Sequence, residues 1–276
     1  MTARASLILP AHDEARVIGR LLDRLSAGGL SPDIEVIVVA NGCSDDTVGV
    51  ATRHGAPLDA RVVHVTRPSK AGALNEGDRL ASAFPRVYLD ADVEVDPESL
   101  EAVFRALGRG PALAARPTLR YLTEGGDPFV RAFYRARQRT PELVGQLWGA
   151  GCYAVSELGR SRWGEFPEGA ADDLFVAEQF DPHEVAIVES GPVLVRTPRT
   201  SRALLRTLRR VYGLGGTTDP PRTRSRSSSA LRALLRANAA PTCWWDAAVY
   251  VAFAVGARLP SRRSGATRWA RDETTR

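Results

Sequence analysis

The sequence predicts an α/β chain on a mostly parallel central sheet flanked by helices, followed by a helical, basic C-terminal extension. Three observations lead there. Short, near-continuous apolar runs alternate with helix-like stretches over the first hundred residues, the pattern of strands buried on both faces. The alternation loosens past Gly110. Arginine then dominates: Arg196 to Arg236 holds eleven arginines and a single acid, Asp219, so the overall charge of +5 hides an acidic remainder.

In order along the chain, "SLILP", "IEVIVVA", "RVVHV" and "RVYLD" read as strands, with helices expected at Glu14–Ser26, Asp46–His54 and Gly72–Ala83 between them. After "DADVEVDP", Asp96 is a natural N-cap, Pro97 suits the first helical position and Glu98 favours the first turn. "PALAAR", "CYAVS" and "EVAIVES" read as further strands, and Pro128–Arg139, Ala171–Gln179 and Thr200–Tyr212 as helices. Thr217–Ser229, rich in Pro, Ser and Arg, reads as a mobile loop. Trp244–Ala257 is an apolar helix too short to span a bilayer.

Composition narrows the class. The 276 residues suit one large domain or one domain with appendages. No apolar run reaches the ~20 residues of a membrane span. Pro10 and the acids after it interrupt the N-terminus too early for a signal peptide, so a cytoplasmic protein is expected. Cys43, Cys152 and Cys243 are widely spaced and odd in number, which argues against a disulfide framework and a zinc site; the four histidines show no ligand spacing either.

In an open α/β sheet, ligands sit beyond the carboxyl ends of the strands. Here those ends are followed by "AHDEA", "NGCSDDT", "TRPSKAGALNEG" and "ADVEVD". Four polar loops at one sheet edge carry carboxylates, an amide and Lys70, the single lysine of the chain. Asp90 and Asp92 stand at i and i+2, on the same side if the chain there is extended. Two close carboxylates need a compensating cation or proton, and a hard divalent cation, Mg²⁺ or Mn²⁺, is the simple solution. No GxxxxGK[ST] occurs. "GAGCYA" at Gly149–Ala154 formally fits a dinucleotide fingerprint, but it does not open a βαβ unit. Val95 stands where an EF-hand needs glycine.

Taken in order, "LILPAHDEARVIGRLL", "EVIVVANGCSDDT", "SKAGALNEG" and "VYLDADVEVDP" resemble family 2 glycosyltransferases with a GT-A fold. The likeness continues more loosely through "GAGCYAVS" and "EGAADDLFV" and fades after about Val195. It implies a GT-A catalytic domain over residues 1–195, with a nucleotide-sugar half to about 110 and an acceptor half after it, and an extension over 196–276. It implies transfer of a sugar from a nucleoside diphosphate donor to an acceptor hydroxyl, with inversion. Pro10, His12 and Glu14 fall in the loop that touches the nucleotide. Asn41 stands where many members carry an aspartate that contacts the base, and Asp45 matches a later acid of that motif. Lys70 matches the lysine near the donor, and Asp90 and Asp92 match the DxD motif, with Asp92 favoured as direct metal ligand. Asp172 and Asp173 match the motif holding the general base, with Asp173 favoured. The QxxRW motif of processive members is absent; "RTLRRVYGLGG" stands in a comparable place, making Arg206, Arg209 and Arg210 candidates for the diphosphate.

Two rival readings are a sugar-nucleotide nucleotidyltransferase and a non-catalytic binder of anionic surfaces. The first lacks its glycine- and arginine-rich opening loop, and the second leaves "DAD" and "ADDL" unexplained. Nucleic acid is not an expected partner, because no aromatics are interleaved with the basic segment for base stacking. A lipid-linked or glycan acceptor, and peripheral contact with the inner face of the membrane through the basic loop, Trp244 and Trp245, are compatible with the transferase reading.

Overall fold

The structure is a computed structural model describing residues 3–214 and 231–258. The Thr217–Ser229 segment and Arg210's side chain lie outside the described residues. The chain divides into two compact units, Met1–Leu119 with Leu147–Val195 and Arg120–Gln146 with Arg196–Arg276.

The first unit is built on four parallel strands, β1 (Ala5–Ala11), β2 (Ile34–Asn41), β3 (Arg61–Val65) and β4 (Arg86–Leu89). They are joined through α1 (Ile18–Ala27), α2 (Thr47–Gly55) and α3 (Lys70–Leu80). After α4 (Pro97–Arg109) come β5 (Ala114–Leu122), β6 (Cys152–Val155) and β7 (Val185–Arg196). The sheet order is β3-β2-β1-β4-β6-β5-β7, with β6 antiparallel to both β4 and β5. The register Ala11↔Ala40 and Asn41↔Val65 brings the carboxyl ends of the first three strands to one edge. The loops after β1 to β4 therefore open on the same side of the sheet.

Strand periodicity explains the layers. Leu7 and Leu9 of β1 and Val36 and Val38 of β2 share a cluster with Ile18, Leu21, Leu22 and Leu25 of α1 and Leu100, Val103 and Phe104 of α4. The intervening residues face the other way: Ile8 packs with Leu74 of α3, and Ile37 and Val39 pack with Ala73. Both faces of β1 are covered, which is why all seven of its residues are buried and its sequence reads as an unbroken apolar run. A Cβ at Gly77 would come 2.4 Å from Ile8 Cγ2, so this glycine lets α3 lie close over β1.

Several boundaries shift from the sequence expectation for identifiable reasons. Helix α3 starts at Lys70 rather than Gly72, because the Ser69 hydroxyl accepts from Gly72 N at 2.9 Å and caps it. Asp96 does stand at the N-cap of α4, but its side chain makes no capping bond. It is bound instead by the Arg24 guanidinium (Nε–Oδ1 2.8 Å, Nη2–Oδ2 3.1 Å), a bidentate charge-assisted pair that outcompetes a neutral N–H.

The second unit contains α5 (Pro128–Gln138), α6 (Pro141–Val144), α9 (Ser201–Leu214), helical residues 231–237 (α10) and α11 (Trp244–Arg258); α7 (Glu157–Arg160) and α8 (Asp172–Ala177) belong to the first. Val130 and Phe133 of α5, Leu204 of α9 and Val249 of α11 share a cluster, with Phe133 stacked on Tyr250 at 4.6 Å. No described helix is long and apolar enough to cross a membrane.

Asp246 of α11 is 3% exposed and accepts from Arg135 (Nη2–Oδ1 2.6 Å) and Arg139 (Nη1–Oδ2 2.8 Å). Burial alone would raise its carboxyl, but the two guanidinium groups outweigh that and hold it below the usual aspartate value. A folded-state value below the unfolded one stabilises the protein above about pH 4, and the contribution is lost as pH falls through the folded value. Asp246→Asn is expected to cost about 1–3 kcal/mol at pH 7 in urea denaturation. The gap to wild type should close as pH falls below about 4, and a gap that stays constant there would contradict this account.

Candidate active site

The third loop ends in Lys70, at the first position of α3. Its Nζ lies 2.8 Å from Asp90 Oδ1 and 2.7 Å from Asp172 Oδ1. One ammonium thus ties the loop after β4 to the start of α8. Burial pulls the ammonium down, but the charges of Asp172 and Asp90 outweigh it and hold Lys70 above the ordinary lysine value. Asp90 moves the other way. Burial, with the charges of Asp172 and Asp92, pushes it up to about 6 against the pull of Lys70.

The carboxylates are fixed by their surroundings. Asp172 Oδ2 accepts the Tyr153 hydroxyl at 3.0 Å. Burial and the neighbouring Asp172 raise the Tyr153 phenol well above its usual value, so it remains a donor. Asp173 Oδ2 accepts from Gly149 N at 2.6 Å, and its Oδ1 from Leu174 N at 2.8 Å. Burial and the Asp172 charge raise the Asp173 carboxyl, while Lys70 and the two N–H donors act against the shift.

Asp90 and Asp92 do not lie on extended chain, contrary to the sequence expectation. Strand β4 stops at Leu89; Asp90 N still donates to Gly151 O (2.8 Å), one rung beyond the pairing with β6, and the chain then turns over residues 91–92, with Val93 N donating back to Asp90 O (3.4 Å). The nearest counter-charge to Asp90 is Lys70, not a second buried carboxylate's cation. Asp92 is exposed and has no hydrogen bond or ion pair among the described residues. Asp90 and Asp172 nonetheless share a single ammonium, with the charge of Asp92 acting on Asp90 and that of Asp172 on Asp173. That excess negative charge on oxygen donors suits a hard divalent cation.

The "GAGC" run has a use the dinucleotide reading did not supply. Gly149 and Gly151 have φ of 83° and 63°. A Cβ at Gly151 would lie 2.7 Å from Val93 Cγ1 and 3.1 Å from Asp90 Oδ2. The glycines let the backbone come close to the carboxylates.

The first two loops interlock beside this network. Asn41 is fully buried; its Nδ2 donates to Ala11 O (2.8 Å) and its Oδ1 accepts from Ser69 N (3.1 Å), which staples β1 to the Lys70 loop. Pro10 lies buried within β1. His12 Nδ1 is 2.7 Å from Asn41 O, and Glu14 N donates to Thr47 Oγ1 at 2.7 Å. Asp45 accepts from Ala15 N (3.2 Å) and Thr47 N (3.1 Å). Arg206 and Arg209 stand on α9 in the second unit; the contacts described here are all drawn from the first.

Four residues escaped the sequence reading. Asp13, Tyr153, Ser69 and Glu168 each hold a neighbour in place: Asp13 accepts from the backbone of Ser44 and Asp45, and the Ser69 hydroxyl donates to Glu168 (2.7 Å). All four sit inside runs already marked as motifs, but nothing in those runs singles them out as the residues that do the holding.

The chain is 32% identical over 117 residues to the glycosyltransferase AglD of Haloferax volcanii, covering 40% of this chain and 19% of the relative. It is 31% identical over 108 residues to an uncharacterised glycosyltransferase of Mycobacterium tuberculosis, covering 39% of this chain and 45% of that one. The chain therefore spans less than half the length of either relative. Among solved structures, the mannosyltransferase PcManGT from Pyrobaculum calidifontis, in complex with GDP-Man and Mn²⁺, superposes with a TM-score of 0.63 at 21% identity, covering 95% of this chain and 77% of that one. Glucosyl-3-phosphoglycerate synthase from Mycobacterium tuberculosis, in complex with Mn²⁺, UDP-Glc and phosphoglyceric acid, gives 0.56 at 21% identity over 79% and 81%. These likenesses establish the GT-A fold. The model of glycosyl transferase family 2 matches residues 6–152, more than half of the sequence, and the chain belongs to that family.

Proposed function

We propose that the protein transfers a sugar from a nucleoside diphosphate donor to an acceptor hydroxyl, with inversion at the anomeric carbon. The observation that carries this reading is the Lys70 bridge, which joins the carboxylates after β4 to those opening α8 at the ligand edge of the sheet. Two carboxylate pairs held a fixed distance apart can serve the two ends of a displacement. Asp92 and Asp90 face the leaving diphosphate, and Asp173 faces the attacking hydroxyl.

A divalent cation, Mg²⁺ or Mn²⁺, held by Asp92 with Asp90 beside it would supply charge neutralisation of the departing diphosphate. The remaining work falls to the chain. Lys70 adds a compact cation beside the phosphates and holds Asp172 in place. Asp173, its carboxyl raised by burial, takes the proton of the acceptor hydroxyl as general base. Gly149 N and Leu174 N fix its two oxygens so that a lone pair stays directed at the acceptor.

The solved neighbours were captured with a guanine and a uracil nucleotide sugar, so both are first candidates for the donor. Trp244 and Trp245, 64% and 57% exposed, together with the arginine-rich extension, fit an enzyme that works at the inner, anionic face of a membrane on a lipid-linked or glycan acceptor.

A thermal-shift panel of nucleotide sugars with and without Mn²⁺ tests the reading. One donor class should raise the midpoint only when the metal is present, and Asp92→Ala should abolish that shift while leaving the metal-free midpoint unchanged. A donor shift indifferent to metal would remove Asp92 from its role. Asp173→Asn should retain donor binding and lose about 10²–10⁴-fold in kcat; wild-type turnover there, with loss in Asp172→Asn, would move the base by one residue. Lys70→Arg should reduce kcat/KM for the donor at least about tenfold, because a planar fork cannot bridge two carboxylates from the space of one ammonium; unchanged kcat/KM would make the lysine incidental.

A further inference from the structure

The transfer chemistry leaves Asp13 and Cys43 without a task, yet the fold brings them together with His12. The register Ala11↔Ala40 places the residues following β1 beside those following β2. One ligand atom each from His12, Asp13 and Cys43 then lie within 4.8 Å of one another, although Cys43 is thirty positions from Asp13 in the sequence. The sequence spacing of cysteines and histidines argues against such a site; adjacency of parallel strands supplies it.

The second contacts of these side chains match the arrangement around metal ligands. His12 Nδ1 is 2.7 Å from Asn41 O. A carbonyl only accepts, so Nδ1 carries the proton and Nε2 holds the lone pair, the usual way a ligating imidazole is oriented by the backbone. That Nε2 lies 4.0 Å from Asp13 Oδ2. The Asp13 carboxylate, 2% exposed, is aimed by Ser44 Oγ (3.0 Å to Oδ2) and by Asp45 N (3.1 Å to Oδ1). Cys43 Sγ accepts from Asp13 N at 3.4 Å. Ligand atoms of a tetrahedral zinc centre with bonds of about 2.0–2.3 Å stand roughly 3.3–3.8 Å apart, so closure of about 1 Å completes three corners.

We infer that His12, Asp13 and Cys43 bind a borderline divalent cation of the zinc class, through imidazole nitrogen, carboxylate oxygen and thiolate sulfur, with the fourth position open. The donor set decides the metal. Sulfur and nitrogen ligands favour Zn²⁺ or Co²⁺ over the Mg²⁺ or Mn²⁺ that suits the oxygen-only group at Asp92 and Asp90. On binding, the Cys43 thiol proton passes to solvent and the thiolate takes the metal, which pins the first two loops to each other.

The test is a Co²⁺ titration of the metal-free full-length protein, read by the near-ultraviolet thiolate-to-cobalt absorption. Wild type should show a band that saturates at about one equivalent and is abolished by Zn²⁺, which binds such sites more tightly. Cys43→Ala should lose the band, and folded protein is confirmed by circular dichroism. His12→Gln, which keeps the thiol, should weaken Co²⁺ binding by at least the about 10–100-fold that loss of an outer-shell partner costs. Asp92→Ala should leave the band unchanged, which separates this site from the donor metal whether or not transfer is observed. Absence of the band in wild type, its survival in Cys43→Ala, an unchanged affinity in His12→Gln, or its loss in Asp92→Ala would each overturn the assignment.

Discussion

The ammonium of Lys70 is the point on which the site turns. It stands at the head of α3, on a helix kept close to β1 by Gly77, and it reaches carboxylates from two further parts of the chain. Remove that charge and Asp90 and Asp172 become like charges facing each other in a half-buried pocket, a repulsion that low-dielectric surroundings enlarge. The supports converge on the same spot: the Ser69 cap starts the helix, Asn41 holds Ser69's backbone, and Tyr153 and Gly149 hold the acids. The single lysine of an arginine-rich chain occupies a place where a thin stem and a compact charge fit between two oxygens.

The surrounding electrostatics are unbalanced by design of the fold. Asp90 sits near 6 because burial and its acidic neighbours oppose Lys70, and Asp173 is raised by burial and Asp172. A group of acids held this way is strained toward taking up positive charge, as a cation or as a proton.

Much of this was legible in the sequence because β1, β2 and β4 are almost wholly buried, so their apolar runs stand out, and the parallel pairing with the half-exposed edge strand β3 puts the residues after all four at one edge. Lys70 and Asp90 stand out in this way, whereas Asp172 and Asp173 stand out only through the family resemblance. What the sequence could not show depends on contacts between distant segments. The backbone of Asp90 is held by Gly151 O, sixty-one positions on, and the Asp96 side chain is drawn to Arg24 on another helix. Asn41 reads as a ligand contact until its burial shows both ends of the amide in use. His12, Asp13 and Cys43 become neighbours only through the β1–β2 register.

The antiparallel pairing of β4 with β6 has a consequence for how such a chain can diversify. Leu89 lies opposite Cys152, so the acids after β4 and the glycines before β6 are set against each other by a ladder of four residue pairs. Everything between, including the segment Arg120–Gln146, leaves one side of that ladder and returns on the other. The pairing that sets Asp90 against Gly151 is thus independent of what the excursion contains: helices there can change in length or sequence without passing through the ladder that fixes this edge of the charged centre.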